Sequence, residues 1–211
     1  RDCPEVESGT RIFGPMTFAW TGEDKSEHQL TAYACDSLFF KVLDFGLLTG
    51  DAASLGDFNN MLLSEEAAKR IFGNEDPVGK VLKDNLDYPK TVVGVFRDIP
   101  YNTSLGHFDA IVSEYMHQTQ YDKESSWDNS NEYYSYVKLR PGTSAVDVEA
   151  WMNNAMVDKY GLREMVDKYQ LRLMMVPVKR AEVMVGTRAQ YMDFIAIITL
   201  LVLILCALNY A

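Results

Sequence analysis

The chain has 211 residues, of which 47% are hydrophobic and 24% charged, with a formal net charge of −10. That length suffices for one large domain or two small ones, each with a real core. The acidic balance argues against nucleic acid, which needs clustered Lys and Arg, and against docking on anionic lipid.

The chain opens Arg1-Asp2-Cys3-Pro4, with neither an initiator Met nor an apolar leader, so a truncated N-terminus is expected. Residues 11–20 read as strand, with Gly14-Pro15 as a break, and residues 29–35 as a second strand. Residues 37–45 are rich in aromatics, and Phe39, Phe40 and Phe45 are expected in a core. Residues 50–60 read as a polar loop. Met61, Leu62 and Leu63 form a short apolar strand. Ser64 is then an N-cap, Glu65 and Glu66 sit in a first turn where carboxylates suit the helix dipole, and Gly73 supplies the C-terminal cap. Residues 79–82 lead into a strand, 84–90 turn, and the β-branched run 91–96 is a strand ended by Asp98-Ile99-Pro100.

Residues 108–113 and 132–139 read as strands, separated by a polar stretch over 115–131. Ser144 with Asp147 resembles a capping box and opens a helix to about Tyr160. Val146, Ala150, Met152, Ala155, Met156 and Tyr160 are expected on its buried face. Residues 171–178 read as a last strand. The 18 residues 194–211 carry no charge, and the run predicts the start of a transmembrane helix. The competing reading, a buried C-terminal helix, would show a polar stripe that this run lacks. Of the three cysteines, Cys206 lies in that run; Cys3 and Cys35 pair in an oxidising compartment or stay free thiols, and their spacing does not decide between the two.

Several fragments imitate catalytic motifs without their context. Asp44-Phe45-Gly46 spells a kinase metal-binding triplet, but no glycine-rich loop precedes it. Between Gly73 and Gly79 lie five residues where a phosphate loop needs four, Val81 stands where Ser or Thr would hold magnesium, and Glu75 and Asp76 repel phosphate. His28, His107 and His117 lack metal-ligand spacing. Ser64 has no nucleophile elbow, and Glu65 and Glu66 point differently on a helix. Tyr121, Trp127, Tyr133, Tyr134 and Tyr136 form an aromatic patch suited either to binding a sugar or partner or to covering a sheet. No catalytic, cofactor-binding or metal-ligating residue is therefore expected.

Taken together, Asp36-Ser37-Leu38-Phe39-Phe40-Lys41-Val42-Leu43-Asp44-Phe45, the run from Leu63-Ser64-Glu65-Glu66 through Pro77-Val78-Gly79-Lys80, Thr91-Val92-Val93-Gly94-Val95-Phe96-Arg97-Asp98-Ile99-Pro100, and Tyr136-Val137-Lys138-Leu139-Arg140-Pro141-Gly142 resemble the periplasmic core domain of MacB-like, FtsX-like ABC transporter permeases. The apolar end resembles the start of that family's second membrane helix. The resemblance implies an α+β fold in two subdomains. One is a split porter-like α/β module over 1–35 and 104–190; the other is an inserted, mostly-β sabre-like subdomain over 36–103; residues 191–211 then begin a transmembrane helix. It further implies a cytoplasmic ABC ATPase as partner, a second permease copy or paralogue in a dimer, a periplasmic adaptor or substrate protein, and a place in a bacterial inner membrane with residues 1–190 on the periplasmic side. The expected function is coupling ATPase-driven motion to export or extraction. A ligand-sensing receptor domain and a membrane-anchored hydrolase are the competing readings.

Overall fold

The computed structural model describes residues 3–22, 25–84, 88–100, 103, 105–113, 133–178 and 198–199. The chain divides into two compact units, Arg1–Ser144 and Ala145–Ala211.

In the first unit, β1 (Val6–Thr21) and β2 (Glu27–Cys35) form a long hairpin, followed by α1 (Phe39–Val42), β3 (Leu47–Gly50), a 3-10 turn (Ala52–Gly56), β4 (Asn60–Ser64), α2 (Glu65–Phe72), β5 (Val81–Asp84), β6 (Pro89–Phe96), β7 (Ala110–Ser113) and β8 (Tyr133–Leu139). Six strands pair in a cycle, β1–β2–β7–β4–β6–β5, which returns to β1 through Trp20↔Asp84 and Thr21↔Lys83. β8 pairs with the first half of β1, from Val6↔Leu139 to Phe13↔Tyr133, and β3 lies on β6. The expected break at Gly14-Pro15 is a register shift between Phe13 and Met16 inside one continuous strand. Gly14, with φ of +122°, takes the conformation that a side chain would disfavour.

Apolar residues on both strand faces explain why the cycle forms. Along β4, Met61 and Leu63 enter one buried cluster while Leu62 enters another; along β7, Ala110 and Val112 oppose Ile111 in the same way. A strand buried on both sides reads as an unbroken apolar run, as these do. The first cluster draws on all six strands of the cycle and on Ala67 and Ala68 of α2, and combines Trp20 with small residues at Ala32, Ala34 and Ala110. The second is aromatic. Phe39 lies between Phe40, Phe45 and Phe108, with centroids 5.1, 5.8 and 6.5 Å away, and Tyr33 meets Phe108 edge-on at 4.8 Å. The expected aromatic core of residues 37–45 is thus present. The expected polar loop over 50–60 contains the 3-10 turn, whose Asp51 side chain caps it by accepting from the Ala53 amide at 2.9 Å. Cys3 and Cys35 are both buried, and no disulfide joins them.

Strand pairing runs across the expected boundaries at 35/36 and 103/104. β2 pairs with β7, β7 with β4, and β8 joins the same sheet through β1. The reason is geometric: a 16-residue β1 is long enough to serve β2 on one edge and both β8 and β5 on the other. The most marked change of contacts falls instead between Ser144 and Ala145.

The second unit contains α3 (Ala145–Asp158) and α4 (Arg163–Tyr169). The buried stripe of α3 runs through Val148 and Met156, with Met152 between them at helical spacing, whereas Val146 is 73% exposed and Ala150 and Tyr160 are also exposed. The expected face was rotated by part of a turn. Residues 171–178, expected as a strand, are in no sheet. Of the apolar run 194–211, only 198–199 fall among the described residues; among these, no helix is long and apolar enough to cross a membrane. The expected polar stretch 115–131 lies outside them, as do residues 179–193.

β3 crosses β6 at Gly50 opposite Gly94. A Cβ on Gly94 would fall within contact distance of the Thr49 carbonyl oxygen and 3.0 Å from both the Gly50 Cα and the Leu62 side chain. Backbone cannot yield as a flexible side chain does. Gly94→Ala should therefore destabilise the fold by about 1–3 kcal/mol, while Gly56→Ala, where a Cβ meets nothing within 4 Å, should stay within about 0.5 kcal/mol. Urea unfolding of both variants checks this.

Candidate functional site

A polar construction in the first unit surrounds α2. Ser64 takes extended backbone angles and its Oγ accepts from the Ala67 amide at 3.1 Å, so β4 passes into the helix through a side-chain cap. Gly73, at φ +64°, ends the helix with its amide on the Lys69 carbonyl. Ala67 and Ala68 face the six-strand cluster, with Ile71 and Phe72 packed against it. Polar groups hold the other face. Asp98 accepts from the Glu66 amide at 3.0 Å, and Arg70 Nη2 donates to Asp109 Oδ1 at 2.7 Å. His107 Nε2 lies 3.6 Å from the Glu66 carboxylate.

Asp109 connects three elements. Its Oδ2 accepts from the Thr31 amide at 2.9 Å, its amide donates to the Thr31 carbonyl, and its carbonyl accepts from the Ser64 amide, both at 2.7 Å. One residue before β7 thus ties β2, the end of β4 and α2 together. Arg70 is half exposed, so its ion pair alone contributes little; the amide contacts, which a carboxylate accepts strongly, carry the connection.

A second feature is Lys90 on β6, fully buried. Its Nζ donates to the Phe58 carbonyl and sits 3.4 Å from the centroid of the same residue's ring. Burial lowers its pKa to about 8, against the opposing pull of Asp84 and Asp57.

In the second unit, α3 holds residues 171–178 by side chains. Asn153 Oδ1 accepts from the Leu173 amide at 2.9 Å and its Nδ2 donates to the Leu173 carbonyl at 2.8 Å, so one amide side chain takes the place of a strand neighbour. Glu149 accepts from the Met175 amide at 3.1 Å and from Arg172 at 2.8 Å, and these bonds, the amide first, hold its carboxyl below the usual range. A groove of about 490 Å³ runs beside this latch, with Val146, Ala150, Val166 and Leu171 among its lining.

The fragments that imitate catalytic motifs have structural places. Phe45 of Asp44-Phe45-Gly46 stacks on Phe39. In the segment resembling a phosphate loop, Lys80 is paired with Glu75 at 3.0 Å, Asp76 accepts from the Val78 amide, and the Gly79 amide is spent on the Val92 carbonyl. Ser64 is buried as a cap. His28 bonds Ser26 at 2.8 Å, far in kind from a ligand set, and among the described residues no group of three His, Cys, Asp or Glu is placed to hold a metal ion. Of the aromatic patch, Tyr133 lies under Arg11 at 5.3 Å and beside Phe13, Tyr136 packs on the aromatic cluster, and Tyr134 is exposed; Tyr121, Trp127 and His117 lie outside the described residues. Sequence reasoning missed Asp98, Asp109, Arg70 and Lys90. Asp98 follows one apolar run and Asp109 precedes another, positions where a carboxylate signals a capped backbone group without naming its partner.

The family model for the MacB-like periplasmic core domain matches residues 1–155. Among solved structures, a domain from Porphyromonas gingivalis assigned to a permease protein is similar at 26% identity and TM-score 0.62, over 80% of this chain and 72% of that one. The periplasmic region of MacB from Actinobacillus actinomycetemcomitans shares the fold at 19% identity and TM-score 0.56, over 76% and 70%. So does the extracellular domain of the noncanonic ABC-type transporter YknZ from Gram-positive bacteria, at 16% and 0.55, over 76% and 79%. The comparison with curated proteins gives no match.

Replacing Asp109 by Ala leaves the Thr31 amide and Arg70 without their acceptor. It should cost about 2–3 kcal/mol, more than the ~1 kcal/mol expected for Ser64→Ala; denaturant melts of the two variants give the comparison. Glu149 supports its latch when ionised. That support is present above the carboxylate's ordinary pKa and is lost as pH falls through its lowered value. Proteolysis within residues 171–178 should therefore quicken in acid for the wild type, and Glu149→Gln should show the quickening already at neutral pH.

Proposed function

We propose, since the chain belongs to the MacB-like periplasmic core domain family, that it is the extracytoplasmic part of an ABC transporter permease subunit and converts ATPase-driven motion into export or extraction of a substrate. The family match over residues 1–155 is the observation that carries this reading. The construction of the first unit supports it. Close-packed interiors are weakly compressible and transmit displacement, and this one is a cyclic sheet packed on both faces, with α2 tied to it by Asp98 and Asp109. Its polar side chains bind backbone groups and one another, which is support for structure and not for bond-breaking chemistry.

In this reading residues 1–190 stand on the periplasmic side of a bacterial inner membrane and 194–211 enter it. ATP is hydrolysed by a separate cytoplasmic ATPase, and the permease works as a dimer with a copy or paralogue, engaging an adaptor or substrate protein. The expected division into a porter-like part over 1–35 and 104–190 and a sabre-like insertion over 36–103 is not drawn in the strand pairing, which runs across both of its boundaries. The groove beside Glu149 favours a second reading, a ligand-sensing domain, because its volume suits a small molecule.

Two experiments test the first reading. In the full-length transporter with its ATPase, a flexible Gly-Ser insertion after Val185 should leave ATP hydrolysis running while export or extraction falls, because slack in the connector absorbs the movement. Transport at the original rate would contradict mechanical coupling. The chain alone should bind no nucleotide in calorimetry; ATP binding that disappears in Lys80→Ala would overturn this part.

A further inference from the structure

Lysine is among the side chains least often fully buried without a carboxylate partner. Lys90 is such a case: among the described residues no carboxylate lies within ion-pairing distance of its Nζ, and both of its contacts fall on Phe58, one on the carbonyl and one on the ring. Phe58 belongs to the short stretch 57–59, between Leu55, buried in the aromatic cluster, and β4, which pairs with β6 from Asn60. The Asn59 carbonyl accepts from the Thr91 amide at 2.7 Å, and the remaining bonds are local: Asp57 accepts from the Asn59 and Asn60 amides, and the Asn60 side chain donates to the Ser54 carbonyl. Tyr88, just before β6, meets the Phe58 ring edge-on at 6.5 Å. The charged groups facing Lys90 are Asp84 from β5 and Asp57 from the stretch itself; β6 carries no other charged side chain.

We propose that Lys90 is a proton-operated clamp, in which the charge on one buried amine sets how readily residues 57–59 lift off β6. Closed, the ammonium is cut off from water and meets only a carbonyl and a ring. Open, it is solvated. Burial therefore favours the neutral amine in the closed form, consistent with a pKa lowered to about 8 from 10.5. Between those values the open form holds a proton that the closed form has lost. Opening thus becomes harder as pH rises from about 8 towards 10.5, by up to about tenfold per pH unit, and is indifferent to pH below that window. Tyr33, pushed up to about 12 by burial, pulls global stability the other way only above its ordinary value near 10.

Hydrogen exchange on the full chain reads the clamp directly, through the protection factors of the Thr91 and Asn60 amides. In the wild type, protection should be flat from pH 6 to 7.5 and rise several-fold or more between pH 8 and 9.5. In Lys90→Met the rise should vanish. Flat protection throughout in the wild type, or the same rise in Lys90→Met, overturns the proposal. Should that variant fail to fold, the wild type suffices: the Lys90 Nζ resonance should titrate near pH 8 together with the amide shifts of Phe58 and Asn59. A midpoint above 10, or amide shifts that ignore it, overturns the clamp equally.

Discussion

Everything in the first unit depends on one strand pairing in three directions. β1 presents residues 12–21 to β2, while its other edge serves β8 along 6–13 and β5 at Trp20 and Thr21. Without that last contact of two residue pairs, the cycle would be an open sheet ending at β5 and β8. Closure places side chains from all six strands in one interior, and that interior selects alanines on β2 and β7, where strands converge, and a tryptophan at the junction. The bulge at Gly14 follows from the same demand. It lets one strand bend between its β8 half and its β5 half.

The remaining elements cover what closure leaves open. α2 applies its alanines to the interior, and α1 with the 3-10 turn covers the aromatic outer face. Each is fixed by a carboxylate accepting a backbone amide: Asp98 and Asp109 around α2, Asp51 at the 3-10 turn, and Asp36, which accepts from the Leu38 amide and the Thr10 hydroxyl, at α1. An acidic chain outside the cytoplasm has carboxylates to spend in this way. The result is a body in which α1 and α2 are tied to the strands, while the Asp51 bond is internal to the 3-10 turn. Such a body suits a role in which movement is passed on rather than generated.

Local signals were legible in proportion to how local they are. The turn from Leu63 into α2 was readable residue by residue, because an N-cap, two acidic first-turn residues and a terminal glycine act within ten positions. The strands of residues 60–64, 89–96 and 110–113 were readable from apolar runs, and their two-sided burial is what such runs mean. Partnership was not readable. Nothing near Gly94 announces Gly50, and nothing near Asp109 announces Thr31, 78 positions away. The pairing of β1 with β5 crosses the expected boundary at 35/36, and nothing in the local sequence there announces it. In α3, Val146 and Val148 are equally apolar, and only the packing shows that the second is buried. Residues 171–178 have strand composition, yet Asn153 and Glu149 occupy the positions a strand would fill.

The transfer of motion through an undeformed first unit is the central claim, and distance measurements between spin labels test it most directly. Exposed Leu48 and Tyr88, both in the first unit, give one labelled pair; Tyr88 and exposed Tyr169 of the second unit give another. In the full-length transporter with its ATPase, in lipid, both distances are recorded without nucleotide and with ATP trapped. A rigid transmitting body requires the Leu48–Tyr88 distribution to stay unchanged while the Tyr88–Tyr169 distribution shifts. A changed Leu48–Tyr88 distance with an unmoved Tyr88–Tyr169 distance would contradict it.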